Sequence, residues 1–383
     1  MRSPRRKQND ENSPPLPDAA VGATGYAFAG RIYEFDALRG FSMVLVVMGH
    51  VLLSMNLGGY DTLLSSALLT FRMPLFFFVS GFFAYRSVGK WTSEFTRSML
   101  VRKFRAQVIC TLIFFALLAY ASGGDPLGWV ESGFGGYWFT VVLFQMFLCY
   151  TLLSLLGRKC GEGFTIAGMA LLSAAGLGVL VAPFPKEGWL WTLLCWENVA
   201  KYFQFFTLGI VCRKYEAAFC RACSSDRMKT LAIVAYVACM CLWYSDSFRA
   251  WNGVAYRMVH DVAARYAGLG MVVTLFYSAR GYFRRNGVAA RGLGLVGRRT
   301  LDIYMLHYFL IPPLAFLGGL LAPEGMLLLQ LLAALALSLC IVAVCLLLSG
   351  ILRSSDFLSV WLFGMRPAAR KTSAACDRNP LVE

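Results

Sequence analysis

Apolar residues along this chain come in runs of about twenty, separated by short polar connections, and that length matches one helical crossing of a bilayer core. Ten such runs stand out, near residues 37–58, 63–85, 99–121, 136–156, 164–182, 198–213, 229–245, 262–279, 300–321 and 325–352. The sixth is the weakest, because Lys201 and Gln204 interrupt a short stretch. The pattern predicts an all-α integral membrane protein, a bundle of about ten transmembrane helices spanning residues 31–353. Residues 1–30 are polar and proline-rich, without the apolar core of a signal peptide, and read as a disordered cytoplasmic tail. Residues 354–383 read as a second cytoplasmic tail, too short and polar for a further domain.

Composition supports this class. Of 383 residues, 58% are hydrophobic and only 15% charged, with a mean hydropathy of +0.59. A soluble chain of this size needs more charged surface. A net charge of +15 raises the question of nucleic acid, and the placement of the charge answers it. Lys and Arg gather in alternate connections: Arg86 to Arg105, Arg158 with Lys159, Arg213 to Lys229, and Arg280 to Arg299. The opposite connections are acidic or neutral, relieved only by Lys186, Arg249 and Arg257. This is a topology signal, which puts both termini and the basic loops in the cytoplasm and makes the bilayer, not nucleic acid, the partner. An even number of spans agrees. Twelve cysteines lie scattered singly, so no disulfide framework is expected. The lone pair Cys220 and Cys223 has neither a second pair nor a nearby histidine, and no metal site is expected.

Ionisable residues inside apolar runs are costly and mark candidate sites. Arg39 and His50 stand eleven positions apart, about three turns plus 20°, so they share one face of the first helix. The helical rise separates them by about 16 Å, roughly half the hydrocarbon thickness. That spacing suits a ligand with an anionic head near the cytoplasmic mouth and a reactive end at mid-depth. Arginine offers a permanent charge and bidentate contacts to phosphate; neutral histidine can take a proton from a hydroxyl. The structural alternatives are that Asp36 caps the helix, Arg39 snorkels and His50 bonds a neighbouring helix.

Arg72 lies in an apolar run beside Pro74, which can free backbone carbonyls to face a cavity; it either holds a substrate anion or pairs with a buried carboxylate. Ser80 and Gly81 fit close helix packing. Arg102 and Arg105 are three apart and share a helix face, so they either grip phosphates together or serve as positive-inside residues. In the ninth run, Tyr304 and His307 face the same way, and His307 is a second acid/base candidate or a structural partner across the bundle. His260 reads as a solvated interfacial residue. Trp189, Trp191 and Trp196 form an aromatic belt that could also stack on a sugar.

The segments "YEFDALRGFSMVLVVMGH", "FRMPLFFFVSGFF", "VRKFR", "YWFTVVLFQMF", "KYFQFFTLGI" and "LDIYMLHYF" occur in an order that resembles membrane acyltransferase family 3, over roughly residues 31–352. The most specific element is the pairing of Arg39 with His50, supported by Arg102 and Arg105 and by "FFFVSGFF". The resemblance implies a multi-pass enzyme of the inner (cytoplasmic) membrane. Such an enzyme moves an acyl group, usually acetyl, from cytoplasmic acyl-CoA to a carbohydrate hydroxyl at the outer face. It implies no bound cofactor beyond the acyl-CoA donor. His50 would be the catalytic histidine and Arg39 its partner in the motif. Arg102 and Arg105 would help bind the donor, and Arg72 matches the arginine of the second-span motif. Arg72, Ser80, Tyr304 and His307 are candidates to hold substrate, and the first three also to stabilise tetrahedral charge. Some relatives append a periplasmic hydrolase-like domain; this chain is expected to work alone or pass its acyl group to a separate periplasmic or glycan-synthesis partner. The rival class is a secondary transporter or exporter of a glycan, with midplane His and Arg relaying protons. A membrane sensor or scaffold without turnover is the third.

Overall fold

A computed structural model describes residues 32–57, 63–87, 90–129, 133–183, 186–243, 253–285, 287–321 and 326–364. The expected N-terminal tail, most of the C-terminal one and Arg249 lie outside these residues. No strand occurs among them. The helices are α1 (Tyr33–Ser54), α2 (Leu63–Ala84), α3 (Ser93–Phe104), α4 (Cys110–Ala121), α5 (Trp138–Cys160) and α6 (Glu162–Val181). Then follow α7 (Trp189–Leu193), α8 (Trp196–Lys214), α9 (Glu216–Ser224), α10 (Asp226–Trp243) and α11 (Val254–Ser278). The last are α12 (Arg280–Arg284), α13 (Val288–Arg298), α14 (Thr300–Leu310), α15 (Ala315–Leu321), α16 (Leu327–Arg353) and α17 (Asp356–Phe363). A π-helical turn, Arg105–Ile109, joins α3 to α4.

Each apolar run thus carries helix, but not every helix is equally suited to lipid. Among the described residues, six segments are long and apolar enough to cross a membrane: α1, α2, α3 through α4, α5 with its leading turn, α6 and α16. Helices α8, α10 and α11 occupy apolar runs yet carry charges within or at the start of the helix, such as Lys201, Asp226 and Asp261. The ninth run, expected as one span, is broken: α14 and α15 meet at 88°. Pro312 and Pro313 supply no N–H, and the residue before a proline is driven to extended backbone, as Ile311 shows at φ −82° and ψ 110°. The broken backbone is tied to the end of α1. Ser54 donates to the Pro312 carbonyl at 2.6 Å and accepts from Leu314 N–H at 3.2 Å.

Glycines set two close helix crossings. A Cβ at Gly81 would lie 2.0 Å from the Phe206 carbonyl oxygen, and one at Gly209 would lie 2.1 Å from that of Phe78, so α2 and α8 touch backbone to backbone. Gly40 meets the Leu293 carbonyl and Gly297 that of Asp36 in the same way, which seats α13 on the start of α1. Helix α13 lies in a basic connection; its buried Ala290, Gly294 and Gly297 recur at helical spacing and its arginines face outward. Helix α1 begins at Tyr33, earlier than its apolar run. Asp36 therefore sits in the first turn rather than at the cap, where its charge complements the helix dipole.

A buried ion cluster locks α14 to α16. Asp302, fully buried, receives two hydrogen bonds of 2.7 Å from Arg353. Arg299 approaches it at 3.3 Å, and Ser349 also donates to it. Helix α17 starts on a Ser355 cap and ends at Gly364, whose φ of +63° suits glycine and which abuts Ala106 of the π-helical turn.

Candidate active site

The face of α1 predicted to carry chemistry is a continuous stripe. Arg39, Met43 and Val46 line a cavity of 330 Å³, and His50 continues the same stripe one turn further on. Helix α2 contributes Met73, Phe76 and Ser80, α5 contributes Phe139, Thr140 and Leu143, and α14 contributes Thr300, Leu301 and Tyr304. Arg102, Lys103, Ala106 and Gln107 form a further wall, and Gly364 closes it. The cations collect at one end. Arg39 donates to Thr300 Oγ1 at 3.4 Å, and Lys103 Nζ sits 3.3 Å from the centroid of the Phe147 ring. Gln107 Oε1 is buried with no hydrogen-bond partner.

Arg105 does not join this collar. It lines a separate apolar groove with Phe104, Phe144 and Trp361. The helix wheel explains the split: Ala106 and Gln107 lie on one side of Arg102, and Arg105 lies about 60° round on the other. Ser80 and Gly81 also divide the roles considered for them, Ser80 facing the cavity and Gly81 forming the crossing with α8.

His50 lines neither this cavity nor the next. Its Nε2 lies 2.9 Å from the Tyr308 hydroxyl, and its ring lies 5.3 Å from that of His307. His307 is fully buried. Its Nδ1 is 3.1 Å from the Ile303 carbonyl, which can only accept, so Nδ1 carries the proton; Nε2 has no hydrogen-bond partner. Tyr308 reaches His50 because Gly136 makes room, since a Cβ there would sit 1.9 Å from the tyrosine oxygen. Tyr304 anchors the same wall, donating to the Gly136 carbonyl at 2.7 Å and accepting from Phe139 N–H at 3.2 Å. Gly49 makes room in turn for Arg72: a Cβ there would lie 1.6 Å from its Nη1. The buried Arg72 guanidinium therefore rests on α1 at the residue next to His50.

Arg72 belongs to a second cavity, of 230 Å³. Ser66, Thr70, Arg72 and Met73 of α2 line it, so it occupies the half of α2 opposite to Ser80; Met73 lines both cavities. Pro74 leaves the Thr70 carbonyl without its helical donor in this half, as the sequence suggested. The other walls are Trp138, Asn198, Lys201, Tyr202, Met240, Trp243, His260, Asp261, Ala264 and Arg265. His260 is here a correction: it is buried, bonded at 2.8 Å to the Cys239 carbonyl and stacked on Trp243. The aromatic faces come from Trp138, Tyr202 and Trp243, whereas Trp189 and Trp196 are exposed and line neither cavity.

Comparison with known proteins adds a family. The model of a family described as an acyltransferase domain matches residues 32–350. A nodulation protein, NolL, of Sinorhizobium fredii (strain NBRC 101917 / NGR234) is 25% identical over 263 residues, which is 64% of this chain. The match covers 66% of that relative, just under two thirds of its length. No solved structure matches the chain.

Proposed function

We propose, since the chain belongs to acyltransferase family 3, that it carries an acyl group from cytoplasmic acyl-CoA through the membrane to a hydroxyl of an exported or cell-surface carbohydrate. The observation that carries this reading is the stripe from Arg39 to His50, with a cation-collared cavity at one end and Arg72 of a second cavity at the other. Coenzyme A is polyanionic at one end and bears its thioester on a slender arm. Arg39, Arg102 and Lys103 suit the phosphates, and the apolar stretch past Met43 and Val46 suits the arm.

His50 then stands where donor and acceptor meet. In the proposed reaction Tyr308 accepts a hydrogen bond from Nε2–H, which leaves the Nδ1 lone pair as base. Nδ1 takes the proton of the acceptor hydroxyl as its oxygen attacks the thioester carbonyl. The C–S bond breaks, and the departing thiolate recovers the proton from the imidazolium. Arg72, beside His50, faces the negative charge of the tetrahedral intermediate. The acyl group is proposed to be acetyl and the membrane the inner one, with both termini cytoplasmic.

Purified chain in nanodiscs, given labelled acetyl-CoA with and without a mixed glycan extract, tests this by thioester loss. His50→Ala is expected to lower turnover by about 10²–10⁴-fold. Donor consumption that ignores both the acceptor and His50→Ala would overturn the assignment. The transporter reading draws on the broken α14–α15 pair, since broken helices line substrate sites in such proteins. It predicts glycan movement with no release of coenzyme A.

A further inference from the structure

Two uncharged polar side chains of the first cavity are not satisfied by the protein itself. Several serines and threonines inside the helices of this chain give their hydroxyls to the carbonyl one turn back: Ser42 to Leu38 at 2.8 Å, Thr151 to Phe147 at 2.7 Å and Ser173 to Met169 at 2.8 Å. Ser80 lines the cavity and forms no such bond, nor any other through its hydroxyl among the described residues. Gln107 lines it too, at 9% exposure. Its Oε1 is buried without a hydrogen-bond partner, and its Nε2 forms no bond among the described residues. A buried carboxamide left unpaired is costly, so a ligand bringing both a donor and an acceptor is favoured beside it.

The other uncharged polar groups of this wall are already paired. Thr140 Oγ1 meets Thr111 Oγ1 at 2.6 Å and the Tyr137 carbonyl at 3.1 Å, the Tyr304 hydroxyl donates to the Gly136 carbonyl, and Thr300 Oγ1 accepts from Arg39. Depth places the unpaired two just inside the cations. Gln107 stands four residues beyond Lys103, about 6 Å further along the helix toward Thr111 and the Thr140 it meets. Ser80 stands three residues inward of Phe83, about 4.5 Å along α2, and the Arg39 guanidinium lies 5.9 Å from the Phe83 ring centroid. Past this polar step the walls turn apolar at Met43 and Val46.

We infer that Gln107 and Ser80 hold the amide links of a pantetheine arm, Gln107 by pairing its carboxamide with one of them, so that the first cavity selects its donor by the arm as well as by the phosphates. The arm carries amides in succession between its phosphate and its thioester, which matches a polar step inside a cationic mouth followed by an apolar passage. An acyl phosphate or a lipid-linked donor brings no amide to this level. The same arm hangs from coenzyme A and from carrier proteins, and the two sources separate by experiment. This deepens the acyl-transfer reading and rests on it for the word donor.

The test is a calorimetric titration of the full chain in zwitterionic nanodiscs, without any acceptor. The probes are coenzyme A, adenosine 3′-phosphate 5′-diphosphate, which has the head without the arm, and 4′-phosphopantetheine, which has the arm without the nucleoside. Coenzyme A is expected to bind about ten-fold or more tighter than the nucleotide. Gln107→Leu is expected to cut that advantage by about five- to ten-fold and Ser80→Ala by about two- to three-fold. Each should leave the affinity for the nucleotide unchanged, which separates a lost ligand bond from misfolding. Should Gln107→Leu lose the nucleotide as well, Gln107→Met repeats the comparison with the side-chain length kept. Phosphopantetheine binding about ten-fold weaker than coenzyme A assigns the arm to the free coenzyme, and equal binding assigns it to a carrier protein. Equal affinity for coenzyme A and the nucleotide, or an advantage untouched by both substitutions, would overturn the inference. If neither coenzyme A nor the nucleotide binds, the donor reading itself falls and takes the inference with it, so the two fail distinguishably.

Discussion

The cavity beside Arg39 and the cavity beside Arg265 both hold cations, but they place them differently. In the first, Arg39, Arg102 and Lys103 gather at one end, no carboxylate among the described residues lines the walls, and the remainder is largely apolar. In the second, polar and charged side chains surround the space on α2, α8 and α11, and Arg265 and Lys201 are each partnered by a carboxylate. A space graded from charged to apolar suits a long ligand charged at its tail. A space where polar groups alternate with aromatic faces suits a compact hydrophilic one, held in a fixed orientation by partnered side chains. In the proposed reaction the difference would give the donor and acceptor ends different chemistry, and His50 stands beside Gly49, on which Arg72 of the second cavity rests.

The strongest way to break this comparison is to loosen the wall of the first cavity. Asp302→Ala leaves Arg353 and Arg299 without their carboxylate; allowing for their partial exposure, a loss of about 2–4 kcal/mol is expected, read as a lower unfolding midpoint in detergent. An unchanged midpoint would mean that the cluster does not hold α14 in place. Gly49→Ala acts where the cavities adjoin by displacing the Arg72 guanidinium, and should cut kcat by about 10²-fold with little change in donor KM. If KM moved instead, Arg72 would belong with the donor. Tyr308→Phe removes the hydroxyl that holds His50, and about a ten-fold fall in kcat with a displaced pH–rate profile is expected. The smallest contrast is the sharpest for the first cavity. Arg102→Ala should raise donor KM by about ten-fold, and Arg105→Ala by less than about two-fold, because only the former lines the collar. Equal effects would move the donor phosphates toward the groove beside Phe104.

Much of this could be read from the sequence where one helix face decided the matter. Arg39 and His50 were placed on one stripe by the period alone, and the structure continues that stripe through Met43 and Val46. Lys201 and Gln204, which weakened the sixth run, are polar because that face of α8 turns to the second cavity and its vestibule. What the sequence did not convey depends on contacts between distant segments. Tyr308 is the immediate neighbour of His307 but faces His50 only because α14 packs against Gly136. Gly49 and Gly136 look like ordinary helix-packing glycines until the side chains above them are seen. Lys103 and Gln107 were hidden by the more conspicuous arginines on either side. The break after Leu310 was signalled by two prolines, yet the apolar run through them hid it.

The π-helical turn at Arg105–Ile109 acts as a register shifter. It fits an extra residue into the helix, so the part carrying Arg102 and the part carrying Phe114 follow different angular phases along what looks like one span. A relative with an unbroken α-helix here would match this chain on both sides only if an alignment opened a one-residue gap between Phe104 and Cys110. Without that gap, correct pairing of the arginines would rotate every later residue of the span by about 100°.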